Sequence, residues 1–120
     1  MGLFSRKDPI LLAVSGGVDS TVMVHLFKKS GYRFGIAHLN FQLREKDSVA
    51  DELFVKELAT ENEVPYFVSV ADTLQYAKEH RISIQMAARE IRYTWLEEIR
   101  LTNNFHFIAT AHHQDDVIET

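Results

Sequence analysis

The chain has 120 residues, of which 46% are hydrophobic and 25% are charged, and its formal net charge is −4. These values are typical of one soluble globular domain, and no apolar run approaches the length of a membrane span. The acidic balance argues against nucleic-acid binding as the main role of this segment. The absence of cysteine excludes disulfides and thiolate chemistry here, and we expect a cytoplasmic location.

The first predicted elements are a buried parallel strand over residues 10–14 and a helix that continues to residue 29. Gly31 follows the helix in the position of a left-handed cap. We expect the sequence SGGVDS, residues 15–20, to form a tight turn between strand and helix. Such a turn directs backbone N–H groups and the positive end of the helix dipole at a ligand above the strand, which favours phosphate.

The residues of this turn strengthen the prediction of a phosphate site. Gly16 and Gly17 allow close approach of a ligand, and the hydroxyls of Ser15 and Ser20 add donors. The turn is not a Walker A motif, which needs a lysine where Asp19 stands. Because an acid repels phosphate, Asp19 implies a cation between the two, and Mg²⁺ is the usual one. The alternative is an ordinary strand-to-helix loop with a serine cap.

The rest of the chain continues to alternate between strands and helices. The predicted elements are a strand over 33–39, a helix over 48–62, a strand over 65–70, a short helix over 72–80, a helix over 83–101, a strand over 106–111 and a helix from residue 115. In the helix over 48–62, the apolar stripe contains Leu53, Phe54 and Leu58.

This alternation predicts an α/β fold, a doubly wound parallel sheet with helices on both faces. If the strand order is 3-2-1-4, the turn at residues 15–20 faces the segment AHHQDD after the fourth strand, where such sheets bind ligands. The last helix has hardly begun at Thr120. We therefore interpret the chain as the front part of a larger protein, with a further strand beyond it.

A second polar cluster follows the fourth strand, in the sequence AHHQDDVIET at residues 111–120. Helical spacing would place Asp116 and Glu119 on one face. One acid in a first helical turn is explained as a cap, but two histidines and three acids exceed that need. Mg²⁺ held by carboxylates and nucleotide phosphates fits better than zinc, because adjacent histidines point in different directions and HExxH spacing is absent.

Two further groups are candidates on weaker grounds. Arg89 and Arg92 share one face of the helix over 83–101, where they either pair with nearby glutamates or clamp a phosphate. His38 and Asn40 end the second strand at the edge where a nucleoside would bind. A lone histidine in such a place is more often a structural residue with its own hydrogen bond.

The sequence SGGVDS resembles the pyrophosphate loop, or PP-loop, of the N-type ATP pyrophosphatases, which cleave ATP between the α and β phosphates. Together with HLNFQLR, IQMAAREIRY and AHHQDDVIET, it is similar to the N-terminal catalytic domain of the tRNA(Ile)-lysidine synthase family, over nearly the whole chain from Ile10 onward. Glu45 stands where a glycine is common in that family. The resemblance implies a Rossmann-like fold of the adenine nucleotide α-hydrolase type.

The activity implied by the resemblance is a ligase reaction that uses ATP and Mg²⁺. In that family, cytidine 34 of tRNA(Ile) is adenylated, and free L-lysine then displaces AMP to give lysidine. The implied tRNA contacts lie mostly outside these residues, no membrane is involved, and a homodimer is left open. Two alternatives remain: a tRNA 2-thiolase of the same superfamily, which the lack of cysteine disfavours, and a nucleotide-binding module without catalysis.

The resemblance also implies roles for individual residues. Residues that bind ATP are Ser15, Gly16, Gly17, Val18, Asp19, Ser20, His38 and His112. Catalytic residues are Asp19, Arg89, Arg92 and Asp116. The acids near Mg²⁺ are Asp19, Asp116 and Glu119.

Overall fold

The structure is a computed structural model that describes residues 8–14, 18–42, 45–111 and 116–119. Side chains are described for all of these except residues 18, 19, 45–48, 111 and 116–119. The elements in chain order are β1 (Ile10–Ala13), α1 (Val18–Lys29), β2 (Phe34–Asn40), α2 (Glu45–Glu61), β3 (Tyr66–Val70), α3 (Thr73–His80), α4 (Ile84–Thr102), β4 (Phe107–Ala111) and β5 (Asp116–Glu119). No helix in this described part of the chain is both long and apolar enough to cross a membrane.

The strands form one sheet in the order β3-β2-β1-β4-β5. The first four strands are parallel and lie in the order β3-β2-β1-β4, which confirms the predicted order 3-2-1-4. The order reverses at β1, because the chain proceeds to β2 and β3 on one side and later returns to β4 on the other. The carboxyl ends of β1 and β4 therefore flank the position where sheets of this class bind ligands.

Helices cover both faces of the sheet, so alternate residues of one strand enter different cores. Ile10 and Leu12 of β1 pack with α1 and α2, whereas Leu11 packs with Leu96 of α4. All four side chains are at most 1% exposed. Burial on both faces explains why β1 is apolar throughout rather than alternating.

Local signals fix several helix ends where the sequence predicted them. Asp72 accepts a hydrogen bond from the backbone N–H of Gln75 at 3.1 Å and begins α3. Ser83 accepts one from the backbone N–H of Met86 at 3.0 Å and begins α4. After α1, Gly31 has a φ of 80°, which confirms the left-handed cap.

Two helices differ from their predictions. Helix α1 begins at Val18, so the last three residues of the predicted turn already belong to the helix. Helix α2 begins at Glu45, and Leu53 and Phe54 are 56% and 40% exposed. The predicted apolar stripe was therefore wrong except at Leu58. The face that packs on the sheet is set by Val55, Leu58 and Ala59, which fit against the apolar side chains of β2.

The helix predicted from residue 115 is also wrong where the backbone is described. Residues Asp116–Glu119 form β5, which pairs antiparallel with β4. The edge of β4 presents a row of backbone donors and acceptors, and pairing with them satisfies the polar groups of an extended segment. The β-branched residues Val117 and Ile118 also favour this extended conformation.

Candidate nucleotide site

The predicted phosphate turn joins β1 to α1 by a very short connection. Strand β1 ends at Ala13 and α1 begins at Val18, so few residues separate the carboxyl end of the central strand from the first turn of a helix. Ser15, Gly16 and Gly17 lie outside the described residues, and Val18 and Asp19 are described by their backbone alone. Ser20, in the first turn of α1, is 1% exposed. The described flanks thus have the form that an anion site requires.

His38 and Asn40 at the end of β2 are buried, with exposures of 5% and 9%. Nδ1 of His38 lies 2.8 Å from the carbonyl oxygen of Val14, the residue before the predicted phosphate turn. Oδ1 of Asn40 accepts a hydrogen bond from the backbone N–H of Gln42 at 2.8 Å, where the chain takes a φ of 56°. Both side chains hold loops at the carboxyl edge, and neither is an open surface group.

The two candidate arginines differ in their surroundings. Leu96 faces the sheet in the core beneath α4, and Arg92 precedes it by one helical turn, at the carboxyl edge. Arg92 is half-buried, whereas Arg89, almost one turn further out, is exposed. Both guanidinium carbons lie near the ring of Tyr93, at 5.2 Å for Arg92 and 5.3 Å for Arg89. Arg92 is thus the better placed of the two to reach the space above β1 and β4.

Two of the glutamates considered as partners for these arginines are engaged elsewhere. The hydroxyl of Tyr76 donates to Glu90 at 3.0 Å, and this hydrogen bond is the main cause of a raised pKa of Tyr76. Arg100 donates to both carboxylate oxygens of Glu97, which lowers the pKa of Glu97. Glu90 and Glu97 thus each have a described partner other than Arg89 and Arg92.

The second polar cluster is only partly described. His112 lies outside the described residues, and Asp116 and Glu119 are described by their backbone alone. The register pairs Asp116 with Ala111 at the carboxyl end of β4, and Glu119 with Ile108. Three strand residues span roughly 10 Å, so the two backbone positions are well separated. The shared helical face predicted for Asp116 and Glu119 is absent, and their roles stay predictions.

Asp116 nevertheless lies on the same level of the sheet as the predicted phosphate turn. Ala13 pairs with Thr110, so Ala111 and its partner Asp116 are level with Val14, at the carboxyl ends of their strands. Two strand spacings separate the backbones of Val14 and Asp116 by roughly 10 Å. Strand β4 lies between them, so both backbones border the carboxyl end of that strand.

Among the residues whose side chains are described, no three His, Asp or Glu residues lie close enough to hold a metal ion. The acids predicted near Mg²⁺ are Asp19, Asp116 and Glu119, whose side chains are not among those described. Their chemistry fits Mg²⁺, which binds a small number of carboxylates together with phosphate oxygens.

A cavity of about 340 Å³ lies beside β3, between α3 and α4. Its lining consists of Ala71, Asp72, Tyr76, Ile91, Thr94, Trp95 and Glu98. Nothing in the sequence pattern predicted this cavity. None of the predicted site residues lines it.

A parallel α/β sheet with its polar residues at the carboxyl edge, where the strand order reverses, defines a class of ligand-binding proteins that includes many nucleotide enzymes. Within that class, residues 3–120 match the family model described as a PP-loop domain. The chain therefore belongs to the PP-loop family.

The relatives point to one branch of this family. The chain is 46% identical over 118 residues to a tRNA(Ile)-lysidine synthase from Bacteroides thetaiotaomicron, covering 98% of this chain and 28% of that protein. It is 36% identical over 122 residues to a tRNA(Ile)-lysidine synthase from Petrotoga mobilis, covering 98% of this chain and 39% of that protein. The chain thus spans well under half the length of these curated relatives.

A solved structure supports the fold. An NH3-dependent NAD synthetase from Campylobacter jejuni, in complex with the nitrate ion, superposes with a TM-score of 0.64 at 19% identity. The similarity covers 87% of this chain and 47% of the other. At this identity the likeness concerns the α/β fold.

Proposed function

We propose that this chain is the N-terminal part of the catalytic domain of a tRNA(Ile)-lysidine synthase, which binds ATP at the turn over residues 15–20. The observation that carries the proposal is the 46% identity to such a protein over 98% of the chain, a span that includes both predicted polar clusters. In this proposal the tRNA-binding regions lie outside these residues, and the enzyme acts in the cytoplasm.

The proposed reaction has two steps. The O2 atom of cytidine 34 in tRNA(Ile) attacks the α-phosphorus of ATP, and the bond to pyrophosphate breaks. The ε-amine of free L-lysine then attacks C2 of the activated cytidine. The C2–O2 bond breaks, AMP leaves with the oxygen, and the amine loses a proton to give lysidine. This sequence needs no covalent enzyme nucleophile, which agrees with a segment that contains no cysteine.

Each proposed role follows from the charge that develops during adenylation. Backbone donors of residues 15–20 hold the departing pyrophosphate. Asp19 and Asp116 would hold Mg²⁺, which would supply positive charge beside the phosphates. Glu119 belongs to the same acidic side. Arg92, the half-buried arginine, stabilises the α-phosphate during attack, with Arg89 further out.

The remaining predicted ATP contacts are His38, for which the structure describes a contact, and His112, which lies outside the described residues. The contact between His38 and Val14 supports a role beside the phosphate turn rather than on the open face of a nucleoside. His112 is proposed to line the ATP site from the carboxyl end of β4.

The proposal is tested by replacing the two central acids in the full-length protein. With ATP, Mg²⁺ and tRNA(Ile), we expect Asp19→Asn and Asp116→Asn each to lower the rate of pyrophosphate release by about 100-fold, and ATP affinity to fall much less. Initial rates and calorimetric ATP affinity separate the two effects.

Asp72→Asn is the matched control, because Asp72 is a helix-capping acid whose role asparagine also fills. It should leave the rate near that of the wild type. If Asp19→Asn and Asp116→Asn behaved like this control, the two acids would be caps and the magnesium assignment would be wrong. A wild-type protein that bound ATP without releasing pyrophosphate would instead be a binding module.

A further inference from the structure

His38 makes an unusual contact at the place where the chain leaves the sheet. The regular pairing of β1 with β2 ends at Ala13 and Ala37, and the backbone N–H of Val14 still donates to the carbonyl of Ala37 at 2.9 Å. The carbonyl of Val14 then lies 2.8 Å from Nδ1 of the His38 side chain. An imidazole thus supplies a donor to the last described residue before the predicted phosphate turn.

The chemistry of this contact fixes which ring nitrogen carries a proton. A carbonyl oxygen has no hydrogen to give, so Nδ1 of His38 must be the donor. Nε2 of His38 is buried and has no hydrogen-bond partner within the described residues. The two nitrogens therefore have different roles, and only Nδ1 makes a contact that the structure describes.

Within the described residues, the unpartnered Nε2 of His38 is a cost in free energy that an apolar residue would not carry. The neighbouring positions on the same face of β2, Phe34 and Ile36, are apolar and at most 5% exposed. A buried nitrogen without a partner is unfavourable, so packing alone would select an apolar side chain here as well. What an apolar residue lacks is the donor to Val14.

We propose that His38 is a positioning residue for the phosphate turn. Its Nδ1–H holds the carbonyl of Val14 and so sets the direction in which the chain enters residues 15–17. The inference rests on the proposed function, because it assumes that this turn binds the phosphates of ATP. Loss of the contact leaves the turn to be ordered by ATP itself, which weakens ATP binding in the ground state and the transition state alike.

Two amide substitutions separate the ring nitrogens. The side-chain amide of asparagine reaches about as far from the backbone as Nδ1, and that of glutamine reaches about as far as Nε2. His38→Asn therefore keeps a donor for Val14, whereas His38→Gln places its amide at the other nitrogen. The variants are made in the full-length protein, with calorimetry for ATP affinity, steady-state pyrophosphate release for KM and kcat, and thermal unfolding for stability.

A direct readout of the contact needs no nucleotide. The carbonyl ¹³C chemical shift of Val14, measured without ATP, responds to the hydrogen bond from His38. We expect the shift to stay near its wild-type value in His38→Asn and to move in His38→Gln.

The expected result is a rise of about tenfold in the Kd and KM for ATP in His38→Gln, with kcat changed less than twofold. His38→Asn should recover affinity to within about threefold of the wild type. The reverse pattern would indicate that Nε2 makes the important contact and would overturn the proposal. Equal losses of ATP affinity in both variants, unchanged ATP affinity in both, or a fall in kcat alone would also overturn it. A wild-type protein that does not bind ATP would refute the proposed function, and the positioning role with it.

Discussion

The polar side chains at the two ends of the parallel sheet differ in exposure and in their hydrogen bonds. At the amino end, several polar side chains near the surface make complementary contacts, and the buried side chain of Asn62 donates to the carbonyl of Leu58 at 2.8 Å. Arg100 donates to both carboxylate oxygens of Glu97 and to the carbonyl of Phe105 at 3.3 Å. Nδ1 of His106 donates to the carboxylate of Asp8 at 2.9 Å. This end joins the segments that precede β1 and β4.

At the carboxyl end, the polar side chains are buried. Ser20, His38 and Asn40 are at most 9% exposed, and Nε2 of His38 has no partner among the described residues. A buried nitrogen without a partner costs free energy that satisfied surface pairs do not cost. This contrast fits the proposed function, in which the carboxyl end forms the site and the amino end contributes to stability. Substitutions at the carboxyl end should therefore change binding or rate, and those at the amino end only stability.

The largest effect is expected at the phosphate turn. Gly17→Val adds a branched side chain where backbone must approach phosphate, and we expect ATP affinity to fall by at least about 100-fold. That factor corresponds to losing one or two charge-assisted hydrogen bonds of about 1.5–3 kcal/mol each. Calorimetric titration of the full-length variant with ATP measures the loss, and circular dichroism shows whether the fold persists.

Gly31→Ala is the matched control at the other end of α1. Gly31 has a φ of 80°, so alanine there should cost about 1–2 kcal/mol of stability without weakening ATP binding. Unchanged ATP affinity in Gly17→Val would show that the predicted phosphate turn does not bind ATP. The proposed difference in function between the two ends of the sheet would then be wrong as well.

The next effect distinguishes the two arginines at the carboxyl end. We expect Arg92→Ala to lower the rate of pyrophosphate release by about 100-fold, as loss of one preorganised donor does elsewhere. Arg89→Ala should lower it less than tenfold, because Arg89 is exposed while Arg92 is half-buried. Both variants should shift the free energy of unfolding by less than about 1 kcal/mol.

Arg92→Lys sharpens this test, since lysine keeps the charge but loses the planar pair of donors. A lysine variant with full activity would indicate a simple charge effect rather than a bidentate clamp. Wild-type rates in both alanine variants would make this face of α4 purely structural.

These expectations also show what the sequence could and could not predict. The parallel sheet was predictable, because burial on both faces produces apolar runs such as the one at residues 10–14, and these runs alternate with helical patterns. The starts of α3 and α4 were predictable because Asp72 and Ser83 cap within three residues of themselves. Each of these signals is local to a few neighbouring residues.

Contacts between distant residues account for what the sequence did not reveal. His38 forms a hydrogen bond with Val14, which is 24 residues away. The sequence pattern therefore predicted that His38 lies at the carboxyl edge, but it did not predict Val14 as its partner. Strand β5 forms by pairing with the edge of β4, and the hydrophobic periodicity of residues 116–119 does not predict that pairing. Likewise, the exposure of Leu53 and Phe54 depends on how α2 rotates against β2.

At the amino end, the expected effects concern stability alone. A Cβ added to Gly35 would lie 2.7 Å from Cζ of Phe105, a buried ring that packs edge-on against Phe67. We expect Gly35→Ala to lower the free energy of unfolding by about 1–3 kcal/mol, which is typical of overpacking, and to leave ATP affinity unchanged. Chemical denaturation with a calorimetric check of ATP binding tests both parts.

A double substitution identifies the cause. Phe105→Leu opens space beside Gly35, so the cost of Gly35→Ala should be smaller in that background than in the wild type. Additive costs would show that the ring of Phe105 is not the obstacle. A loss of ATP affinity in Gly35→Ala would contradict the division between the two ends.

The smallest expected effect belongs to the partly exposed pair of Glu97 and Arg100. The hydrogen bonds from Arg100 lower the pKa of Glu97 below its ordinary value of 4.5 in the folded protein. The pair therefore contributes stability that is fully present above pH 4.5 and is lost as the pH falls through the lowered pKa. Because the pair is partly exposed to solvent, we expect Glu97→Gln to cost only about 0.3–0.5 kcal/mol at pH 7. Denaturant titrations at pH 7 and pH 3 should show this difference shrinking in acid, while Glu98→Gln on the next residue serves as the control. An equal difference at both pH values would mean that the charge of Glu97 contributes nothing, and that the amino end is held by its packing and its backbone hydrogen bonds.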